Sequence, residues 1–362
     1  MTTRKNTREV KVGHVVIGGN SPVSIQSMTN LPLEDIPGTI AQIGRLKEAG
    51  ADIVRLAVRN LDVIPALREV IRSVSLPITA DIHFDHRLAL AAIEAGAGKI
   101  RINPGNIGGA DRVRDVVRAA LDAGVALRVG VNAGSLDRKK YPHPTPENMV
   151  ASAMDSIDLL EEYGFADIIV SLKSSDVALT VEANRLFAEK RDYPLHLGLT
   201  EAGYGMTCVV NSSVAIGTLL MEGIGDTIRV SMTGDPVEEI PVARRILEAA
   251  GLRKTAVRII SCPTCGRTDP SLDLLALARE VEEAVTVRFG RELAVSGKSV
   301  AVAVMGCEVN GPGEAMEADV GVAGGRGGYL MLFSRGEKMR RIERREVSKA
   351  VLDEVERILQ NG

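Results

Sequence analysis

Between residue 23 and about residue 250 the chain repeats one pattern: a short β-branched apolar run, a few polar or glycine positions, then a longer segment with helical apolar spacing. The runs VSIQSMT (23–29), ADIVRLAV (51–58), PITADIHF (77–84), KIRINPG (99–105), VALRVGVNAG (125–134), DIIVSLKS (167–174), LHLGLTEAG (195–203) and TIRVSMTG (227–234) predict eight strands. The segments between them predict amphipathic helices, opened by Asp and closed by Gly, as in DRVRDVVRAALDAG and DPVEEIPVARRILEAAG. Eight βα units over roughly 230 residues match a (β/α)8 TIM barrel, whereas doubly wound sheets usually stop at about five to seven strands.

The pattern changes near residue 255. VRIISCPTCGR runs an apolar strand into a CxxC, and a helical stretch (270–289) and a strand, SVAVAVMGC (299–307), follow. A hairpin with the loop GGRGG (324–328) and a closing helix over roughly 346–360 complete the region. This mixture predicts a small α+β domain at 255–362 behind a barrel domain at 1–254, joined by the short polar GLRKTA.

Composition narrows the function. In 362 residues with a formal net charge of -3, no basic excess marks a nucleic-acid or membrane-surface binder, so any anion site is local. Aromatic content of 3% without Trp argues against stacking on single-stranded nucleic acid. No apolar run reaches a membrane span, the start MTTRKNTREV lacks a secretory h-region, and the expected location is the cytoplasm. Four cysteines (208, 262, 265, 307) are too few for a disulfide framework.

In a TIM barrel the ligand sits at the C-terminal ends of the strands. There the sequence places Arg55, Asp81, His83, Arg101, Asn103, Arg128, Asn132, Lys173, Glu201, Arg229 and Ser231. Arg55, Arg101, Arg128, Lys173 and Arg229 stand in strands otherwise rich in Val, Ile, Leu and Gly. Pairing with Asp52, Asp81, Asp167 or Asp226 accounts for any one of them but not for all five, and burying five like charges requires a polyanion. Guanidinium forks and a movable ammonium suit a diphosphate. Glu201, His83 and Asp81 are the candidate proton-handling groups. The turn NPGNIGG (103–109) offers backbone N–H groups to phosphate, although such turns are common in βα loops.

Cys262 and Cys265 supply two thiolates of a metal site and Cys307, ending a separate strand, a third. Cys208 lies in the barrel, in YGMTCVV, and reads as a packed thiol. Glu314 follows Cys307 across EVNGPG, whose Gly-Pro-Gly is expected to turn the chain back tightly and bring the carboxylate to the metal. Three thiolates and a carboxylate suit a [4Fe–4S] cluster with one exchangeable iron; a structural zinc or a redox dithiol are the alternatives. With zinc, the chain is a phosphate-binding TIM-barrel lyase or transferase.

The motifs SMTN, ADIHFD, RINPGNIG, VGVNAGSL, LTEAG, GIGDTIRVS, ISCPTCGR and GCEVNGPGEA together resemble the bacterial two-domain 4-hydroxy-3-methylbut-2-enyl diphosphate synthase family of the methylerythritol phosphate route, over about residues 8–335. The resemblance implies an iron–sulfur oxidoreductase that opens 2-C-methyl-D-erythritol 2,4-cyclodiphosphate with two electrons and loss of water. It implies a [4Fe–4S] cluster on Cys262, Cys265, Cys307 and Glu314, with substrate oxygen replacing Glu314 on the unique iron. Arg55, Arg101, Arg128 and Lys173 would hold the diphosphate, helped by Arg229, Ser231, Asn103 and Asn132, with Glu201, His83 and Asp81 lining the site. It further implies a homodimer, one subunit's cluster domain closing over the other's barrel, and electrons from flavodoxin or ferredoxin. The run RGEKMRRIERR (335–345), six cations and two carboxylates, is read either as a dock for such an acidic carrier or as a solvated helix face. Tyr204 and Asn211 depart from the family stretch, where glycine and lysine are expected, and the spacing between Cys265 and Cys307 is longer than usual.

Overall fold

A computed structural model describes residues 4–103, 109–325 and 328–360, less the side chains of 294 and 295. Residues 104–108 of the NPGNIGG turn and 326–327 of the GGRGG loop therefore lie outside the described residues. The chain divides into two compact units, Met1–Arg253 and Lys254–Gly362.

The first unit opens with a hairpin that the sequence pattern did not suggest: β1 (Val10–Val12) pairs antiparallel with β2 (Val15–Ile17) around Gly13, whose φ is +58°. Eight parallel strands follow: β3 (Ser24–Met28), β4 (Ile53–Ala57), β5 (Ile78–Asp81), β6 (Lys99–Ile102), β7 (Ala126–Asn132), β8 (Ile168–Lys173), β9 (His196–Leu197) and β10 (Thr227–Ile228). Their order is β8-β7-β6-β5-β4-β3-β10-β9, and a parallel bridge between Val170 and Leu195 joins the two outer strands. The eight βα units thus form the expected TIM barrel. Helices Ile36–Ala49, His86–Glu94 and Val177–Lys190 start at Asp35, Asp85 and Asp176, whose carboxylates accept from first-turn N–H groups. The hairpin residues Val10, Val12 and Ile17 pack on Ile53, Ala126 and Ile169 at the N-terminal ends of their strands. This apolar plug closes the barrel floor and leaves the C-terminal ends for chemistry.

The last two barrel strands are short, and β9 runs into Gly198, where a Cβ would lie 2.3 Å from the Arg229 carbonyl and 2.9 Å from Lys173 Nζ. Only glycine allows that approach, and at φ +152° it also suits the backbone.

In the second unit β11 (Val257–Ser261), β12 (Val300–Met305), β13 (Val320–Gly324), β14 (Tyr329–Ser334) and β15 (Glu337–Glu343) form one sheet in chain order. The first three strands are parallel and the last three antiparallel. Helices Leu274–Ser296 and Val347–Gln360 bury Leu277, Val281, Val285, Val351 and Val355 in one core with Val302 and Val322. Ala315, from the short helix Gly311–Glu317, packs with Ala303, Met305 and Phe333 in a second cluster.

Two expectations are corrected here. The basic run is not a helix face: Arg335 and Gly336, both at positive φ, turn the chain into the edge strand β15. The Gly-Pro-Gly sequence is not a tight reversal; Pro312, with its φ preset and no N–H to lose, sits in the first turn of the helix Gly311–Glu317.

Candidate active site and cysteine centre

The parallel register of the barrel sets the cations side by side. Asp81 pairs with Arg101 across β5–β6, Arg101 with Arg128 across β6–β7, and Asn132 with Lys173 across β7–β8. Asp81 is the hub: Arg101 Nη1 lies 3.6 Å from Oδ1, while His83 Nε2 and Arg55 Nε lie 3.6 and 3.9 Å from Oδ2. Burial alone would raise its carboxyl, yet Arg55, the His83 hydrogen bond, Arg101 and Arg128 together hold it far below the ordinary carboxylate range. Asp81 thus stands as the counter-charge to Arg55 and Arg101. Arg101 Nη1 also stands 3.2 and 3.3 Å from the ring nitrogens of His83, which is half exposed at the mouth.

Arg229 has its own partner. Its Nε and Nη2 donate to Glu239 at 3.4 and 3.2 Å, and Glu239, 2% exposed, also accepts from Ser27 Oγ (2.9 Å) and the Met232 N–H (3.2 Å). Met28 Sδ lies between two cations, 3.0 Å from Arg55 Nε and 3.8 Å from Arg229 Nη1. Of the other carboxylates considered as strand-end partners, Asp52 pairs with Arg253 and Asp226 with Arg4, before the starts of β4 and β10, and Asp167 is exposed.

Arg128 and Lys173 lack such compensation. Arg128 is 2% exposed, and its Nε and Nη1 have no hydrogen-bond partner among the described residues, nor does Arg101 Nε. Burial, reinforced by Arg55 and Arg101, pushes the Arg128 guanidinium well below its ordinary value; burial with Arg128, Arg55 and Arg229 does the same to Lys173. Arg55 is lowered to about 10 by burial and by Arg229 and Arg101. Unpaired N–H groups among mutually repelling buried cations describe a site prepared for an anion that brings its own oxygens.

Two residues beneath this ring escaped the sequence reading. Lys99, fully buried, donates to Gln26 Oε1 at 2.9 Å, and His196, fully buried, has neither ring nitrogen partnered among the described residues. Both lie well below their ordinary values through burial and the cations above them. Glu239 was also missed. Counting Lys99, six cations in this interior face two carboxylates, Asp81 and Glu239, among the described residues.

At the rim, a cavity of about 120 Å³ is lined by Ile82, His83, Phe84, Arg101, Asn103, Asn132 and Ser135. The structure thus brings Asn103 and Asn132 together with Arg101 and His83. Glu201 is exposed just beyond β9 at φ +55°, an uncommon conformation for a residue with a Cβ. Ser231 is half-buried, and its carbonyl accepts from Cys208 Sγ at 3.6 Å. Cys208 itself is fully buried with its thiol raised by burial, a packed side chain as expected.

In the second unit, β11 and β12 run parallel with Ser261 opposite Val304, so both strands end together and deliver Cys262 and Cys307 to one place. The Gly306 N–H points at Cys262 Sγ (3.3 Å), and Arg267 Nε at Cys265 Sγ (3.5 Å). The backbone N–H groups of Asn310, Val309 and Gly311 lower the Cys307 thiol, and Arg267 lowers that of Cys265. Thr264, at φ +51°, curls the CxxC loop. Donors aimed at all three sulfurs suit thiolates that share negative charge with a metal cluster. Glu314 stands exposed in the first turn of the Gly311–Glu317 helix, and among the described residues no three His, Cys, Asp or Glu side chains are gathered closely enough to hold a metal ion. The three cysteines supply the donor types a cluster needs, but neither their thiols nor the Glu314 carboxylate are drawn together into a metal site among the described residues. Among the described residues no helix is long and apolar enough to cross a membrane.

Residues 7–244 match the family model described as the GcpE TIM-barrel domain, and residues 258–357 match the GcpE protein C-terminal domain. The chain belongs to the GcpE family. Two curated relatives of this GcpE member, both described as 4-hydroxy-3-methylbut-2-en-1-yl diphosphate synthase (flavodoxin), match it almost end to end. The Clostridium perfringens protein is 49% identical over 358 residues, 98% of this chain and 99% of the relative. The Caldanaerobacter subterraneus protein is 50% identical over 360 residues, 98% of each. Among solved structures, dihydropteroate synthases from Yersinia pestis and Stenotrophomonas maltophilia share the fold of the GcpE barrel, with TM-scores of 0.50 at 14% and 16% identity. They cover 67% and 66% of the chain, with 98% of their own length matched.

Proposed function

We propose that this GcpE family member is a 4-hydroxy-3-methylbut-2-enyl diphosphate synthase: it opens 2-C-methyl-D-erythritol 2,4-cyclodiphosphate reductively, with two electrons and loss of water. The near full-length identity to synthases supports the reaction. The observation on the chain itself that carries the reading is the buried, incompletely paired cation set of Arg55, Arg101, Arg128 and Lys173. Opening the ring frees a phosphate oxygen and adds negative charge to the diphosphate. Cations already fixed in a water-poor interior favour that charge as it develops. Arg101 and Arg128, side by side, present forks to the phosphates; Lys173 supplies the movable ammonium. Asp81 orients Arg55 and Arg101, and Glu239 does the same for Arg229. Asn103 and Asn132, with Arg229 and Ser231, complete the pocket wall in this reading. His83 and Glu201, both at the mouth and reachable by water, are the groups left to move protons, Glu201 being the principal one.

A [4Fe–4S] cluster on Cys262, Cys265, Cys307 and Glu314 supplies the electrons and a Lewis-acidic position when bound. The chain's own part is to favour the thiolates of Cys265 and Cys307 through Arg267 and the amides of 309–311, while the Gly306 N–H donates to Cys262 Sγ. Flavodoxin, which the relatives' names carry, or a ferredoxin is the electron donor in this reading, and the working unit is a homodimer in the cytoplasm.

The test is anaerobic purification with iron and sulfide analysis, followed by phosphorus NMR of the cyclic diphosphate with reduced flavodoxin. About four irons per chain, a broad band near roughly 400 nm and conversion to an open diphosphate are expected. Colourless, zinc-containing protein that leaves the substrate unchanged under strong reduction overturns the reading.

A further inference from the structure

The strand β15 has the form of a docking edge. It is the last strand of the five-stranded sheet, so among the described residues one side of its backbone has no neighbouring strand. Lys338, Arg340 and Arg341 are exposed on it and make no ion pair among the described residues, whereas Arg344 pairs with Glu280 (2.7 Å) and Arg345 with Glu343 (2.7 Å). Segment 335–345 carries six cations against two carboxylates in a chain whose net charge is -3. Charged side chains and a bulge are general protection against edge-to-edge pairing, and β15 has a register irregularity opposite Met331–Phe333. Either sign of charge serves that protection. An excess of one sign, six cations to two carboxylates, does not follow from it and instead selects an acidic partner.

Sheet topology connects this edge to the cysteines. Strands β11, β12 and β13 are parallel, and two antiparallel steps bring β15 back to the same direction. The C-terminal ends of β11 and β12, where Cys262 and Cys307 sit, therefore lie at the same end of the sheet as Arg341, Arg344 and Arg345. Three strand spacings separate β12 from β15, roughly 14 Å.

We propose that β15 is the surface on which an acidic electron-carrier protein docks, its negative rim on Lys338, Arg340 and Arg341 and its redox group toward the Cys307 end of the sheet. This rests on the reading above that electrons arrive from a carrier protein. Each encounter oxidises the carrier by one electron, so two encounters supply one turnover.

The experiment compares the full chain, loaded with iron and sulfide, with the triple variants Lys338→Glu/Arg340→Glu/Arg341→Glu and Lys338→Gln/Arg340→Gln/Arg341→Gln. Each is driven either by reduced flavodoxin or by reduced methyl viologen, a small reductant that needs no dock. The Glu variant is expected to raise the apparent KM for flavodoxin about tenfold or more and to lose its salt dependence, with viologen-driven kcat within about twofold of wild type. The Gln variant falls between. Unchanged flavodoxin KM and salt dependence in the Glu variant overturn the proposal, as does equal loss with both reductants in both variants, which marks β15 as merely structural. Should the wild type turn over with neither reductant, the functional reading fails instead. Calorimetric binding of oxidised flavodoxin, present in wild type and lost in the Glu variant, then still upholds the dock, and its absence in wild type removes it.

Discussion

Replacing Arg128 with methionine separates a site built for an anion from a structural strut. Arg128 is 2% exposed and leaves Nε and Nη1 without partners among the described residues. Each unpaired buried donor costs about 1–3 kcal/mol. Methionine fills a similar volume with flexible apolar atoms, so repacking offsets about 1–1.5 kcal/mol of what is recovered. The ligand-free variant is thus expected to be about 2 kcal/mol more stable than wild type, in line with apolar replacement of other buried charges. For a unit of this length that raises the barrel's Tm by about 4–8 °C. Ligand reverses the order of response. Cyclic diphosphate at about 100 times its Kd stabilises wild type by about 2.7 kcal/mol, or about 5–11 °C. Losing one charge-assisted contact, worth about 1.5–3 kcal/mol, leaves the variant under about 1.5 kcal/mol of that response at the same concentration. Thermal unfolding followed by circular dichroism, with and without the cyclic diphosphate, reads both effects. A variant that melts below wild type without ligand and keeps the full ligand shift refutes the reasoning, because Arg128 would then be holding the barrel together.

Asp81→Asn removes the hub of Arg55, Arg101 and His83 and is expected to destabilise by about 3 kcal/mol. Because the folded carboxyl lies below its ordinary 3.8, its contribution is present above that pH and lost as pH falls through the lower folded value. The Tm gap between wild type and Asp81→Asn should stay level from about pH 5 to 8 and close in acid; a gap that widens below about pH 4 contradicts the assignment. Gly130→Ala places a Cβ 2.8 Å from Arg101 Nε, so Arg101 is displaced while the fold survives. Substrate KM should rise about tenfold in a variant still folded by circular dichroism, as for one weakened charge-assisted contact; unchanged KM would show that Arg101 does not touch substrate. Glu314→Gln leaves the three cysteines intact, so iron and sulfide content should persist while turnover falls about 100-fold, measured on the same anaerobic sample. Wild-type turnover in that variant would exclude Glu314 from the centre.

Which of these residues the sequence revealed depended on contrast with their surroundings. Arg101 in KIRI and Arg128 in ALRVGV stand out because a charge inside a β-branched run has no solvent to reach. Lys99, two positions before Arg101, was passed over because a lysine opening a strand looks like a rim residue; the register sets it opposite Thr79 and Ala126 and buries it against Gln26. Glu239 was hidden by the opposite camouflage. In DPVEEIPV two adjacent glutamates look like the solvated start of a helix, yet one of them reaches Ser27 and Arg229 across a separation of more than two hundred residues in the first case.

The β1–β2 hairpin was missed because three-residue strands carry too little alternation to register, although Gly13 at positive φ marks the turn. The edge strand β15 was misread for a physical reason tied to its chemistry. Its bulge breaks the two-residue period and its exposed side needs no apolar residues, so only Ile342 is buried and the remaining charges imitate a helix surface. Both the barrel interior and β15 therefore follow one principle. Where function requires charge, the charge itself becomes the signal: inside the barrel it stands out against an intact apolar run and calls for a diphosphate, and on the exposed edge it outlasts the lost period and calls for an acidic protein.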